Sequence, residues 1–134
     1  NKNNKIKNKN IDFLIYYREH QNKKEFFPFE LIKKLISLGF NVNIVGDKLN
    51  IPNVVNHGLL KNKNLSKLQQ RTKFTIFSEE NLYSIFTLEC ISNNVLVLVK
   101  KASNFRIDHF KKSFKKINFS NLKELRKLKK LYRN

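Results

Sequence analysis

Several polar residues stand beside apolar segments, where they could bind a phosphate-bearing ligand. Arg18 directly follows the apolar segment 11–17, and Lys23 and Lys24 lie in the polar stretch after it. Cationic side chains there could stabilise the charge of a leaving diphosphate. Glu89 lies in a second apolar segment, and a carboxylate can accept hydrogen bonds from two ribose hydroxyls. Lys23 could instead be one of the many surface lysines of this chain, and Glu89 could instead form an ion pair with a nearby lysine.

Apolar segments of strand length alternate with segments of helical periodicity, which predicts an α/β fold. The strands are nearly continuous apolar runs, as expected for a parallel sheet with both faces covered. We expect a Rossmann-like sheet of about five strands, flanked by helices and followed by a helical C-terminal tail. The predicted strands cover 11–17, 42–45, 54–58, 74–77 and 95–99, and the predicted helices 27–38, 65–71 and 82–92.

Three segments of different composition suggest the domain organisation. Residues 1–10 are mostly Asn and Lys and predict a flexible leader or linker, whereas residues 11–103 carry the predicted sheet. Residues 104–134 predict basic helices, with one apolar face at Ile107, Phe110, Phe114 and Ile117 and a narrower stripe at Leu122, Leu125, Leu128 and Leu131. The sequence contains no methionine, and we expect it to be part of a longer protein.

The turn before the third predicted helix is a second candidate for ligand binding. Asn81 is a suitable N-cap, and the amides after it could meet phosphate or sugar oxygens. Glu80 and Leu82 flank it, and either Glu80 or Asn81 could reach a sugar. Gly46 and Gly58 end two predicted strands, where ordinary turn geometry is the alternative to a role at the ligand.

Residues 73–99 resemble the donor-binding segment of glycosyltransferases with the GT-B fold. That segment has a strand ending near Ser, the sequence Glu-Gly-Phe-Gly, three residues, Leu-Glu-Ala, and a strand beginning Gly-x-Pro-Val. In this chain Asn81 takes the place of the first glutamate, and Leu82 and Ser84 take those of the two glycines. Leu88 and Glu89 match the Leu-Glu pair.

The resemblance implies a role for each candidate residue. Arg18, Lys23 and Lys24 would bind the diphosphate, and Glu89 the ribose. The turn at Glu80, Asn81 and Leu82 would contact the sugar, and the backbone at Gly46, Gly58 and Leu59 would border the cleft and the base.

The function implied is the donor half of a bacterial glycosyltransferase, which transfers a sugar from a nucleotide sugar to an unknown acceptor in cell-surface glycan synthesis. A separate N-terminal domain would bind the acceptor, so this chain would bind the donor weakly and be inactive alone. No cofactor is expected. The sequence has no Asp-x-Asp, and His20, His57 and His109 are widely spread, so we expect no metal.

The net charge of +18 indicates affinity for anionic surfaces, although it also fits a bias towards Lys and Asn codons. A nucleic-acid or other polyanion-binding module is therefore one alternative, and a catalytically inactive glycosyltransferase-like domain is another. We expect no nucleic-acid partner, because the aromatic residues occupy periodic core positions. The single cysteine fits a reducing compartment. We expect a cytoplasmic location, with the basic tail in peripheral contact with the anionic inner membrane face.

Overall fold

The computed structural model describes residues 9–19, 27–77, 84–101 and 111–131. These residues form six strands and four α-helices. The strands are β1 (Ile11–Tyr17), β2 (Val42–Gly46), β3 (Val55–Asn56), β4 (Thr72–Ile76), β5 (Leu96–Lys100) and β6 (Phe114–Ile117). The helices are α1 (Phe29–Ser37), α2 (Asn62–Gln70), α3 (Ile85–Ser92) and α4 (Leu122–Lys127), with 3₁₀ turns at Lys111–Ser113 and Leu128–Lys130.

The six strands form one parallel sheet in the order β3-β2-β1-β4-β5-β6. The chain builds outwards from β1 to β3, then returns across the sheet to place β4 on the other side of β1. This is the strand order of a doubly wound, Rossmann-like sheet. The predicted fold class is therefore confirmed.

The basic tail differs from its prediction, because it supplies a sixth strand. Phe114 and Ile117 were expected on one helix face, but Phe114–Ile117 forms β6 and pairs with β5. Phe114 packs with Val97 and Val99, whereas Ile117 belongs to the core cluster on the opposite face of the sheet. Their spacing of three places them on opposite faces of a strand, since side chains alternate. Ile107 and Phe110 lie outside the described residues.

The later part of the tail is helical as predicted, but its leucine stripe is covered by this domain itself. Leu125 and Leu128 are buried in the same core cluster as Ile117. Leu122 and Leu131, at the ends of the stripe, are exposed. The stripe therefore needs neither a partner domain nor a membrane to cover its central residues.

Helices cover both faces of the sheet. Buried residues of α1 and the tail join the larger cluster, in which Phe13 lies 5.4 Å from the rings of both Phe40 and Phe74. Residues of α2 and α3 pack on the other face, around Leu14 and Val45. Full burial of a side chain such as Phe13 stabilises the fold by about 2 to 3 kcal/mol. Strands that are buried on both faces therefore favour continuous apolar runs, and such runs predicted the strands.

Lys9 joins the sheet to two helices at the amino ends of the strands. Its Nζ donates to the carbonyl oxygens of Thr72 at 2.6 Å, and of Gln70 and Asn93 at 3.2 Å each. Gln70 ends α2 and Asn93 is the C-cap of α3, where an ammonium group complements the helix dipole. The predicted leader included Lys9, but its side chain is buried.

Candidate functional site

The carboxyl ends of β1 and β4 define the candidate site. The two strands are neighbours, yet the chain leaves β1 for the face covered by α1 and leaves β4 for the face covered by α3. Parallel α/β sheets form a ligand crevice at such a switch point. The described borders of this crevice are Arg18 after β1, Phe77 after β4, and Ser84 before α3.

The backbone at Gly46 packs tightly against the end of β1. Gly46 has a φ of +100°, and a Cβ at this position would overlap the carbonyl oxygen of Tyr17. The Gly46 amide donates to the carbonyl oxygen of Gly58 at 3.0 Å, and the Asp47 amide donates to that of Tyr17 at 2.8 Å. Glycine is thus required for the close approach of β1, β2 and the segment after β3.

Asp47 orders the first residues after β1. Its Oδ2 accepts a hydrogen bond from the Glu19 amide at 2.7 Å, beside Arg18. Sequence reasoning did not propose a role for Asp47. The available signal was an acidic residue directly after a glycine that ends a buried strand.

Arg18 is exposed and lies close to the first turn of α3. Its Nη1 donates a long hydrogen bond of 3.5 Å to the Tyr16 hydroxyl, and the Tyr16 ring centroid lies 5.6 Å from that of Phe86 in α3. The hydrogen bond to Tyr16 is the largest of the contributions that raise the pKa of Arg18 above its ordinary value. The guanidinium therefore stays charged. Tyr16 therefore links the cation of Arg18 to the first turn of α3.

The N-terminus of α3 lies three residues later than predicted. Ser84 is the N-cap, and its Oγ accepts a hydrogen bond from the Thr87 amide at 3.1 Å. Ser84, and not Asn81 as predicted, is therefore the N-cap of α3. The first amides of α3 have no partners within the helix, as at any helix N-terminus.

Glu89 lies on α3, almost one turn beyond Phe86, or about 4.5 Å along the helix axis towards the amino edge. Its side chain is half-buried, as expected. Within the described ranges, no hydrogen bond or ion pair reaches its carboxylate. The alternative interpretation, an ion pair between Glu89 and a nearby lysine, is therefore not observed among those residues.

Gly58 and Leu59 lie at the same edge of the sheet as Arg18 and Gly46. The carbonyl group of Gly58 bonds to Gly46, which places the three residues Arg18, Gly46 and Gly58 after three neighbouring strands. Leu59 is 77% exposed. The other predicted site residues, Lys23, Lys24, Glu80, Asn81 and Leu82, lie outside the described residues.

The only histidine among the described residues is His57, which is bonded to an amide. Its Nε2 lies 2.8 Å from Asn43 Oδ1, and burial, with a smaller contribution from Arg71, lowers its pKa.

The described part of the chain contains no group of three His, Cys, Asp or Glu residues arranged to hold a metal ion. In those same ranges, no helix is long and apolar enough to cross a membrane.

These features define the class of the protein, an α/β protein with a Rossmann-like parallel sheet and a switch point between β1 and β4. No protein-family model matches the chain, and no curated protein matches it.

Proposed function

We propose that this domain binds the nucleoside diphosphate part of a nucleotide sugar, as the donor-binding half of a glycosyltransferase. The observation that carries the proposal is the exposed guanidinium of Arg18 at the carboxyl end of β1, beside the first turn of α3. A diphosphate in the crevice would meet both this cation and the helix N-terminus. Both are favourable partners for an anion, because phosphate accepts charge-assisted bonds and helix N-termini carry partial positive charge.

Glu89 supports the nucleotide over a simpler anion. Its carboxylate is half-buried without a described partner, and a carboxylate would repel phosphate but accept bonds from ribose hydroxyls. The ligand would therefore run along α3, with the diphosphate at the first turn and the ribose one turn further along.

The remaining parts of the proposal depend on the rest of the protein. Sugar transfer to an acceptor would need the separate acceptor domain, because a donor site alone does not position a second substrate. The exposed Lys and Arg residues of α4 would favour contact with an anionic membrane surface.

Calorimetric titration with UDP and GDP, with uridine as the ligand that lacks phosphate, tests the nucleotide site. We expect a diphosphate to bind and uridine to bind far more weakly. Arg18→Gln should weaken diphosphate binding roughly tenfold or more, since it removes a charged hydrogen bond. The matched control is Arg126→Gln, which removes the same charge from exposed α4. An equal loss in both variants would favour a general polyanion-binding surface.

Glu89 is tested by comparing UDP with 2′-deoxy-UDP. If Glu89 holds the ribose, the original protein prefers UDP, and Glu89→Gln reduces that preference while leaving the fold intact. Glu30→Gln, on the exposed side of α1, is the control. An undiminished preference for UDP in Glu89→Gln would remove Glu89 from the site.

A further inference from the structure

A second cleft opens at the carboxyl ends of β5 and β6. Its volume is about 330 Å³, and its lining residues are Lys100, Lys101, Ile117, Asn118, Phe119 and Ser120. This volume lies in the range of small-molecule sites. The cleft is two strand spacings, or about 10 Å, from the crevice between β1 and β4. It is therefore a separate site from the one assigned to the nucleotide.

Two ammonium groups give the cleft a positive charge. Lys100 and Lys101 are both exposed, and Lys101 Nζ lies 3.7 Å from Glu124 Oε1. The other oxygen of Glu124 accepts a hydrogen bond from the Asn118 amide at 2.9 Å, which holds this carboxylate at the wall of the cleft. An exposed ion pair of this kind contributes little to stability, so Lys101 can turn to a ligand at small cost.

A third lysine, Lys34, supports the lining residue Phe119. Lys34 Nζ reaches from α1 to the carbonyl oxygen of Phe119 at 3.3 Å. This bond holds the half-buried Phe119 in place between the helix and the cleft, where it offers an apolar surface.

Neutral donors complete the lining. Asn118 Oδ1 accepts a hydrogen bond from the Ser120 amide at 3.1 Å, which shapes the turn after β6. Within the described ranges, the side-chain Nδ2 of Asn118 and the hydroxyl of Ser120 bond to no other protein group. The cleft thus combines two cations, of which Lys101 is paired with the Glu124 carboxylate, with two neutral polar groups and an aromatic ring.

We propose that this cleft binds a small organic phosphate, with its phosphate group at Lys100 and Lys101 and its organic part on Phe119. A phosphate monoester carries a charge between −1.5 and −2 at neutral pH, which complements two lysines better than a single carboxylate does. The cleft is far larger than a phosphate ion, and its apolar wall favours a ligand with an organic part. This ligand is distinct from the nucleoside diphosphate of the proposed function.

Phenyl phosphate is a suitable probe because it joins a dianion to a planar apolar group. We would titrate the chain with phenyl phosphate, inorganic phosphate, benzoate and phenol, and follow the NMR amide signals of Asn118 and Ser120. The proposal expects phenyl phosphate to bind more tightly than inorganic phosphate or benzoate, with phenol giving no shift. Benzoate binding as tightly as phenyl phosphate would overturn the choice of a phosphate.

The double variant Lys100→Gln, Lys101→Gln should weaken phenyl phosphate binding roughly tenfold or more. The matched control, Lys115→Gln with Lys116→Gln, removes the same charge from exposed positions of β6 outside the cleft, and should change affinity less than about twofold. Equal losses in the two double variants would overturn the proposal. Arg18→Gln should leave this binding unchanged while weakening UDP, so the two sites can fail independently.

Discussion

The two edges of the sheet use similar polar residues in opposite ways. At the amino edge, the polar side chains that form the contacts are buried or half-buried and bond to one another or to backbone groups. At the carboxyl edge, Arg18 is exposed, and the contacts beside it are made by the backbone at Tyr17, Gly46 and Gly58 together with the side chain of Asp47. The first edge is therefore organised by its own side chains, whereas the second leaves charged side chains available to a ligand.

The amino edge contains two polar networks. In one, Asn93 Nδ2 donates to Gln69 Oε1 at 2.8 Å beside the bonds of Lys9. In the other, Lys73 and Asp12 form an ion pair of 3.1 Å, and Asp12 also accepts a hydrogen bond from the Asn41 amide at 2.9 Å. Among the described residues, no buried side-chain nitrogen or oxygen lacks a hydrogen-bond partner. Buried polar groups need hydrogen-bond partners of this kind, because they have lost their bonds to water.

The lysines differ in a similar way, although Lys34 makes its structural bond at the carboxyl edge, beside the cleft. Lys9 bonds to the ends of α2 and α3, Lys129 donates to the carbonyl oxygen of Leu38 at the end of α1, and Lys34 bonds to Phe119. These three lysines act on backbone carbonyl groups, so the high lysine content has a structural component. Lys100 and Lys101 lie at the carboxyl edge and line a cleft instead.

The largest expected effect tests whether backbone geometry shapes the carboxyl edge. Gly46→Ala should lower the free energy of unfolding by about 3 kcal/mol, because its Cβ would meet the backbone of β1 in a conformation that disfavours side chains. Gly58→Ala is the matched control: its φ is also positive, at +74°, but no atom lies within 4 Å of the added Cβ. We expect Gly58→Ala to cost about 1 kcal/mol. Urea denaturation measures both, and equal costs would contradict the role given to the close approach.

The next effect tests whether side chains organise the amino edge. Lys9→Met keeps the apolar part of the side chain but leaves three carbonyl groups without their ammonium donor. We expect a loss of about 2 to 3 kcal/mol in the free energy of unfolding, the usual cost of removing a charged hydrogen-bond partner. Lys63→Met, at an exposed position of α2, should change it by less than about 0.5 kcal/mol. Indistinguishable denaturation curves for the two variants would show that Lys9 contributes nothing.

A smaller effect tests how closed the amino edge is to water. Cys90 is buried beside Gln69, and burial, with a smaller contribution from Glu89, raises the pKa of its thiol. The unfolded chain therefore loses this proton first. The contribution to stability is complete below about pH 8.5 and falls above it, by at most about 1.4 kcal/mol per pH unit.

The measurement is the difference in unfolding free energy between the original chain and Cys90→Ala, from pH 7 to pH 10. Both proteins keep Tyr17, whose pKa is also raised by burial, so its effect cancels. The original chain should lose stability faster above pH 8.5, and its thiol should react slowly with a thiol reagent. Parallel pH profiles, or rapid labelling under native conditions, would show that this edge is open.

Sequence patterns predicted the central strands well, because a strand buried on both faces needs a continuous apolar run. The segment 11–17 matches β1, and the predicted strand 42–45 differs from β2 by one residue. The same reasoning failed at β6, where Phe114 and Ile117 are separated by two lysines. The spacing fits a helix face as well as the two faces of an edge strand, and only pairing with β5 distinguishes them.

Arg18 and Gly46 could be chosen from the sequence because each directly follows or ends an apolar run, and Gly58 because it follows Val54 and Val55 closely. Asp47 and the cleft at Lys100 and Lys101 were not found. Their roles depend on contacts between segments far apart in sequence, such as that of Glu19 with Asp47 and that of Lys34 with Phe119. No local pattern encodes such contacts.

The sequence by itself determined the alternation of strands and helices, the parallel sheet and the positions of the main apolar segments, because the length and periodicity of apolar runs are local properties of the chain. Only the tertiary structure decided which polar residues are bonded and which are left exposed. Lys9 lies in a polar stretch of sequence and Lys100 directly follows an apolar run, yet Lys9 is buried among carbonyl groups and Lys100 is exposed and lines a cleft. The physical reason is that hydrogen bonding of a long side chain depends on which backbone groups the fold brings within its reach.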